Sequence, residues 1–162
     1  MADAIQYSQF VKSLDYIELN TNDSCIISGV KNIFLDDDTL IMLDEKKAGI
    51  LIFTSEGKLI NQINHYGNSP EELIKIMGFT IDPILNHIYA LDIMSQKINT
   101  YNYKEEFIES KKTTLYIRDF AVLKDEIFLF ILPFYSENTP YGIWITDNNN
   151  NFIKIIKCDI PK

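Results

Sequence analysis

At 162 residues, 46% of them hydrophobic and 12% aromatic, the chain can fold around one sizeable core, which excludes a disordered chain. Its 15 basic residues stand against 23 acidic ones, and the net charge of −8 repels phosphate backbones and anionic headgroups, arguing against a nucleic-acid partner. No run approaches the ~18 apolar residues of a membrane span, and the opening residues lack the charged and apolar segments of a secretory signal.

Short runs rich in Ile, Leu, Phe, Tyr and Thr, punctuated by Asn, Asp, Gly and charged clusters, predict strands and tight turns almost throughout. An N-terminal strand is expected within 14–20. Next comes Cys25, which with the distant Cys158 has no zinc-type spacing around it and reads as a small buried hydrophobe rather than a ligand or disulfide partner. Strands are expected at 30–35, 40–44, 50–54 and 58–63. Between the first two lies Asp36-Asp37-Asp38, which lacks the glycine and distal glutamate of a calcium loop and suits a solvated hairpin turn. At 70–77 one turn of helix is expected, with Pro70 in its first position and Glu71 and Glu72 at the electropositive end. Further strands follow at 79–82, 87–92, 97–103, 107–111, 118–123, 127–132, 142–146 and 152–157.

These strands repeat. Leu43-Asp44 falls on Leu91-Asp92 at an offset of 48, and the same offset carries Phe53 onto Tyr101 and Ile60 onto Ile108. A third copy places Phe107 on Phe152 at an offset of 45, while Ile88 meets Ile127 at 39, so about six residues are inserted in the 133–142 loop. Repeats of roughly 40 to 50 residues with four strands each are the mark of propeller blades, because one twisted sheet cannot cover its own apolar faces. The expected fold is all-β: a partial β-propeller of three four-stranded antiparallel blades with an extra N-terminal strand. As one domain it divides into the strand at 14–20, blade 1 at 28–64, blade 2 at 77–112 and blade 3 at 117–158.

The run ILIFTSEGKLI at 50–60 resembles the strand, acidic-glycine turn and strand of NHL-type propeller repeats. The run IYALD at 88–92, followed by Gln96, Lys97 and Ile98, resembles the next part of that repeat. More closely, ISGVK at 27–31 leading to GNSPEE at 67–72 is similar to the start of a six-bladed, TolB-like propeller family abundant in Bacteroidetes, whose members are mostly exported lipoproteins. Ser69 and Glu71 stand where that family's loop has glycines, and Leu73 where it has an aromatic residue. The resemblance implies a six-bladed fold of which this chain carries the N-terminal half, and a periplasmic or envelope location. It implies little about chemistry, because propellers host many unrelated functions.

Asp44 and Asp92 close equivalent strands, where a carboxylate accepts backbone N–H groups in the following turn. The third copy has Ile131 there, so no ring of carboxylates forms. His65 and His87 read as surface residues without a second nitrogen ligand nearby. No serine-hydrolase elbow and no glycine-rich phosphate loop is present, and no cofactor or catalytic residue is expected. The candidate binding residues are Phe134, Tyr135 and Tyr141 in the long loop at 133–141, whose rings either bind or pack down on the neighbouring blade. Arg118 and Asp119 join them as the polar pair on an innermost strand. Two roles follow. One is a non-catalytic propeller that binds a protein or carbohydrate. The other is half of a metal-dependent hydrolase or lactonase, for which Asp119 is the single good hard-metal ligand in the innermost segments. Three blades do not close a ring, as propellers carry about four to eight, and the strand before blade 1 has no vacancy to fill. The open end faces are therefore expected to drive self-association.

Overall fold

A computed structural model of the chain describes residues 11–21, 25–44, 46, 49–124, 127–132 and 142–157. Twelve strands form three four-stranded antiparallel sheets among these residues, with no helix. Blade 1 holds β1 (Val30–Asp36), β2 (Thr39–Asp44), β3 (Gly49–Thr54) and β4 (Leu59–Ile63). Blade 2 holds β5 (Ile76–Asp82), β6 (His87–Asp92), β7 (Lys97–Asn102) and β8 (Phe107–Lys112). Blade 3 holds β9 (Asp119–Leu123), β10 (Ile127–Ile131), β11 (Gly142–Thr146) and β12 (Phe152–Lys157). Each sheet is a meander, and β5 lies against both β1 and β9, which makes the first strand of every blade the inner one.

Alternation along the strands decides what each face meets. In blade 1, Ile41, Leu43, Ile50 and Ile52 face blade 2 and pack on Ile76, Phe79, Ile81 and Ile88. Tyr89, Leu91 and Ile98 leave the opposite face of blade 2 and pack on Phe120, Phe128 and Phe130 of blade 3. The middle strands of blade 2 are thus buried on both faces, β6 by apolar side chains and β7 by a mixture that includes Lys97, Asn99 and Thr100. Polar ties cross the first seam as well. Tyr103 donates its hydroxyl to Asp36 at 2.7 Å, and burial followed by that carboxylate pushes the phenol well up. Asn61 reaches the Tyr103 carbonyl at 2.7 Å.

The far face of blade 1 carries Leu40, Met42, Leu51 and Phe53, and the chain before β1 covers it: Cys25 is fully buried there, with Leu19 and Ile27 packed alongside. Cys25 is a free, buried thiol, and its burial raises its pKa. Cys158 lies outside the described residues.

Two expectations need correction. Within 14–20 no strand forms. Asn20 makes one parallel bridge to Lys58, its N–H donating to the Gly57 carbonyl at 2.8 Å, while Leu14, Tyr16 and Ile17 are exposed. The segment packs through isolated side chains rather than through a ladder. At 70–77 there is a turn and no helix, because side chains of β7 take the carbonyls a helix would need. Lys97 Nζ donates to the carbonyls of Ser69, Pro70 and Glu72, and the Tyr101 hydroxyl to that of Glu71 at 2.6 Å. The acidic triplet is a tight turn, with Asp37 at φ 44°.

Candidate functional site

The two ends of the blades differ. At one end the hairpins β1–β2, β3–β4, β5–β6 and β7–β8 close in short turns, several through left-handed residues such as Asp37, Gly57, Asn86 and Glu105. At the other end gather the linkers 64–75 and 113–118 that lead into inner strands, together with the β2–β3, β6–β7 and β10–β11 connections. Long connections presented on a rigid sheet scaffold are where binding residues collect.

Asp44 and Asp92 sit at that end, and both are structural. Asp92 accepts from the backbone N–H groups of Ile74 at 2.7 Å, Lys75 at 3.2 Å and Met94 at 3.0 Å, and from the Ser95 hydroxyl at 2.8 Å. Burial alone would raise its pKa, but these donors hold the carboxyl below its usual value. Asp44 accepts from Ser28 N–H at 2.6 Å and Lys46 N–H at 2.9 Å. Each carboxylate therefore ties the segment leading into an inner strand to the end of the second strand of that blade. In blade 3 the bond is made from backbone alone, Arg118 N–H donating to the Ile131 carbonyl at 2.8 Å.

That bond places Arg118 and Asp119 beside the end of β10. Asp119 is the register partner of Ile131, one residue before the connection that carries the 133–141 loop. The structure thus brings the polar pair to the root of the loop. Phe134, Tyr135 and Tyr141 themselves lie outside the described residues. Both Arg118 and Asp119 are exposed, and Asp119 accepts the Phe120 N–H at 2.9 Å. Asp119 also borders an apolar hollow of about 170 Å³ with Ala121, Leu129, Ile131 and Ile143 on the far face of blade 3. Among the described residues, no group of three His, Cys, Asp or Glu side chains could hold a metal ion. His65 is exposed, whereas His87 is half-buried, edge-on to Tyr89, rather than a surface residue.

Sequence reading missed a second feature at this end. Strand register makes Gly29, Lys75 and Arg118 equivalent, since the residues after them pair with Asp44, Asp92 and Ile131. In blade 1 the glycine leaves room for the stem of Lys46, whose Cγ, Cδ and Cε lie 3.2 Å from where a Cβ would stand. Lys46 in blade 1 thus runs past the backbone position that Lys75 and Arg118 hold in the other two blades. Between the first two lies a pocket of about 170 Å³ lined by Leu43, Asp44, Lys46, Tyr66, Lys75 and Ile76. Tyr66 is 48% exposed, and burial, then Asp44, raises its phenol pKa.

The family model described as a domain of unknown function (DUF4934) matches residues 2–161. A comparison with curated protein sequences finds no match. Among solved structures, the chain is similar to a Bacteroides fragilis protein described as exported, at 26% identity and a TM-score of 0.81 over 91% of this chain and 43% of that one. A DUF4221 member from Bacteroides vulgatus aligns at 13% identity and a TM-score of 0.62, over 83% and 44% of the two chains. Streptogramin B lyase aligns at 19% identity and 0.52, over 90% and 44%. The last two likenesses show the fold alone. The chain spans less than half the length of each of these structures.

Proposed function

The chain belongs to the DUF4934 family, and we propose that it works as a non-catalytic propeller module that binds a protein or carbohydrate through the loop end of its blades. One observation carries this reading: the linkers, the cations Lys75 and Arg118, and the root of the 133–141 loop all share that end, while the opposite end is closed by tight turns. Among the described residues, Asp44 and Asp92 at that end are engaged by backbone N–H groups, and no three His, Cys, Asp or Glu side chains gather around Asp119. That favours binding over the metal-dependent hydrolysis that a set of converging carboxylates would support. The module belongs to a six-bladed, NHL- or TolB-like ring in the periplasm or on the cell envelope. The description of the Bacteroides fragilis neighbour as exported supports that location. Blade 3 supplies the free face through which copies of the chain associate.

The test is a binding screen of the purified chain against envelope proteins and glycans, repeated with Phe134, Tyr135 and Tyr141 all changed to Ala. Since a few aromatic anchors carry most of an interface's energy, the triple variant should weaken binding about 30-fold or more. Equal binding by the variant, or turnover of an ester, lactone or glycoside that Asp119→Ala abolishes, overturns the reading.

A further inference from the structure

We propose that the pocket between blades 1 and 2 binds the carboxylate of an acidic sugar, one hexuronate unit in size. It rests on the reading of this end as the binding end, but it is a site separate from the 133–141 loop. Size comes first. At ~30 Å³ per water the pocket has room for five or six waters, well below the ~300 Å³ where drug-sized ligand sites begin. A pocket of that volume takes one ring, not a cofactor.

Charge comes next. Lys46 and Lys75 flank the opening from different blades, both exposed, and neither has an ion-pair partner among the described residues. The counter-charge on the floor is Asp44, fully buried and engaged by the N–H groups of Ser28 and Lys46 and the Ser28 hydroxyl. Asp92 lies behind the same rim, accepting from the Ile74 and Lys75 N–H groups, so both carboxylates are buried and engaged by backbone donors while the two ammonium groups stand exposed at the opening. Lys46 is also pre-positioned, because its stem lies over Gly29 and less freedom is lost on binding. Tyr66, half-exposed, supplies one wall, and Leu43 and Ile76 supply apolar surface beneath. An aromatic wall meets the C–H face of a sugar ring, while the ammonium groups meet its carboxylate.

The experiment is an amide NMR titration of the isotope-labelled chain with sodium glucuronate, glucose and sodium glutamate in parallel. Glucuronate should shift the amides of Lys46, Ile74 and Lys75, with a dissociation constant of about 1–10 mM for so few contacts. Glucose should bind at least about fivefold more weakly. Lys46→Met and Lys75→Met should each cost about threefold to fivefold, and the pair about tenfold, with the melting temperature unchanged. Gly29→Ala, which touches no ligand, should weaken glucuronate by displacing the Lys46 stem. Glucose binding as tightly as glucuronate overturns the proposal, as does glutamate binding as tightly, an unaltered double variant, or no shift at about 50 mM glucuronate. The loop variant with Phe134, Tyr135 and Tyr141 removed should bind glucuronate normally, so failure of either site is read without the other.

Discussion

Blades 1 and 3 are built alike and end differently. On the far face of blade 1, Met42, Leu51 and Phe53 are at most 2% exposed, because Leu19, Cys25 and Ile27 pack on them. The matching face of blade 3 carries Leu129, Ile131, Ile143 and Ile145 in the same register, yet Ile131 is 39% exposed and Ile156 beside it 48%. The difference is a segment of chain, not a difference in the sheets. A propeller blade is finished by whatever lies against it, and three side chains from the segment before β1, Leu19, Cys25 and Ile27, suffice for the two middle strands. They do not reach the inner strand, where Ile33 and Leu35 stay exposed.

The sharpest way to break this comparison is to put the same charge on both faces. Leu51→Lys places an ammonium group at a fully buried position and should cost about 4 kcal/mol or more, seen as loss of the cooperative thermal transition. Ile143→Lys, on the half-open face, should change stability by about 1 kcal/mol or less, and light scattering should show any self-association of the chain disappearing. Equal destabilisation would show that the far face of blade 3 is covered after all.

A second contrast lies at the strand ends. Blade 2 holds its linker through Asp92, whereas blade 3 uses backbone alone beside Ile131. Asp92→Ala removes the buried acceptor shared by the N–H groups of Ile74, Lys75 and Met94 and should cost about 2–3 kcal/mol in denaturant unfolding. Ile131→Ala should cost about 0.5 kcal/mol. The carboxyl of Asp92 has its pKa lowered in the folded state, so its contribution is present above the ordinary carboxylate range and lost as pH falls through the folded value. Stability curves of the wild type and Asp92→Asn should therefore converge in acid, and a constant gap across pH would refute that linkage. The smallest effect is at the cover itself: Cys25→Ser buries a hydroxyl among Met42, Leu51 and Phe53 and should cost about 1 kcal/mol by thermal melting.

The blades were legible in the sequence because strand pairing and the offset of 48 report the same geometry, and most strands fall within a residue or two of expectation. Where side chains from elsewhere decide the backbone, local patterns misled. The helical turn at 70–77 was lost to Lys97, Asn99 and Tyr101, some thirty residues away. The strand within 14–20 was lost because alternation alone does not provide a partner edge. At the binding end, Arg118 and Asp119 were visible as an unusual polar pair on an inner strand. The equivalence of Lys75 with Arg118 and Gly29 was not, since the linkers at 64–75 and 113–118 differ in length and break the repeat offset just where the site lies.

Gly57 carries a consequence for the order of events during synthesis. At φ +87° in the β3–β4 turn, any Cβ there would strike the Glu18 carbonyl, so the chain before blade 1 crosses directly over this turn. Residues 18–20 leave the ribosome well before residue 57, and their landing place does not exist until the β3–β4 hairpin has closed. The cover of blade 1 is therefore a late-placed element whose residues are made first, and until it lands Leu51 and Phe53 are open to chaperones. Pulse-labelled hydrogen exchange would show the amide of Asn20, bonded to the Gly57 carbonyl, gaining protection after those of β2 and β3.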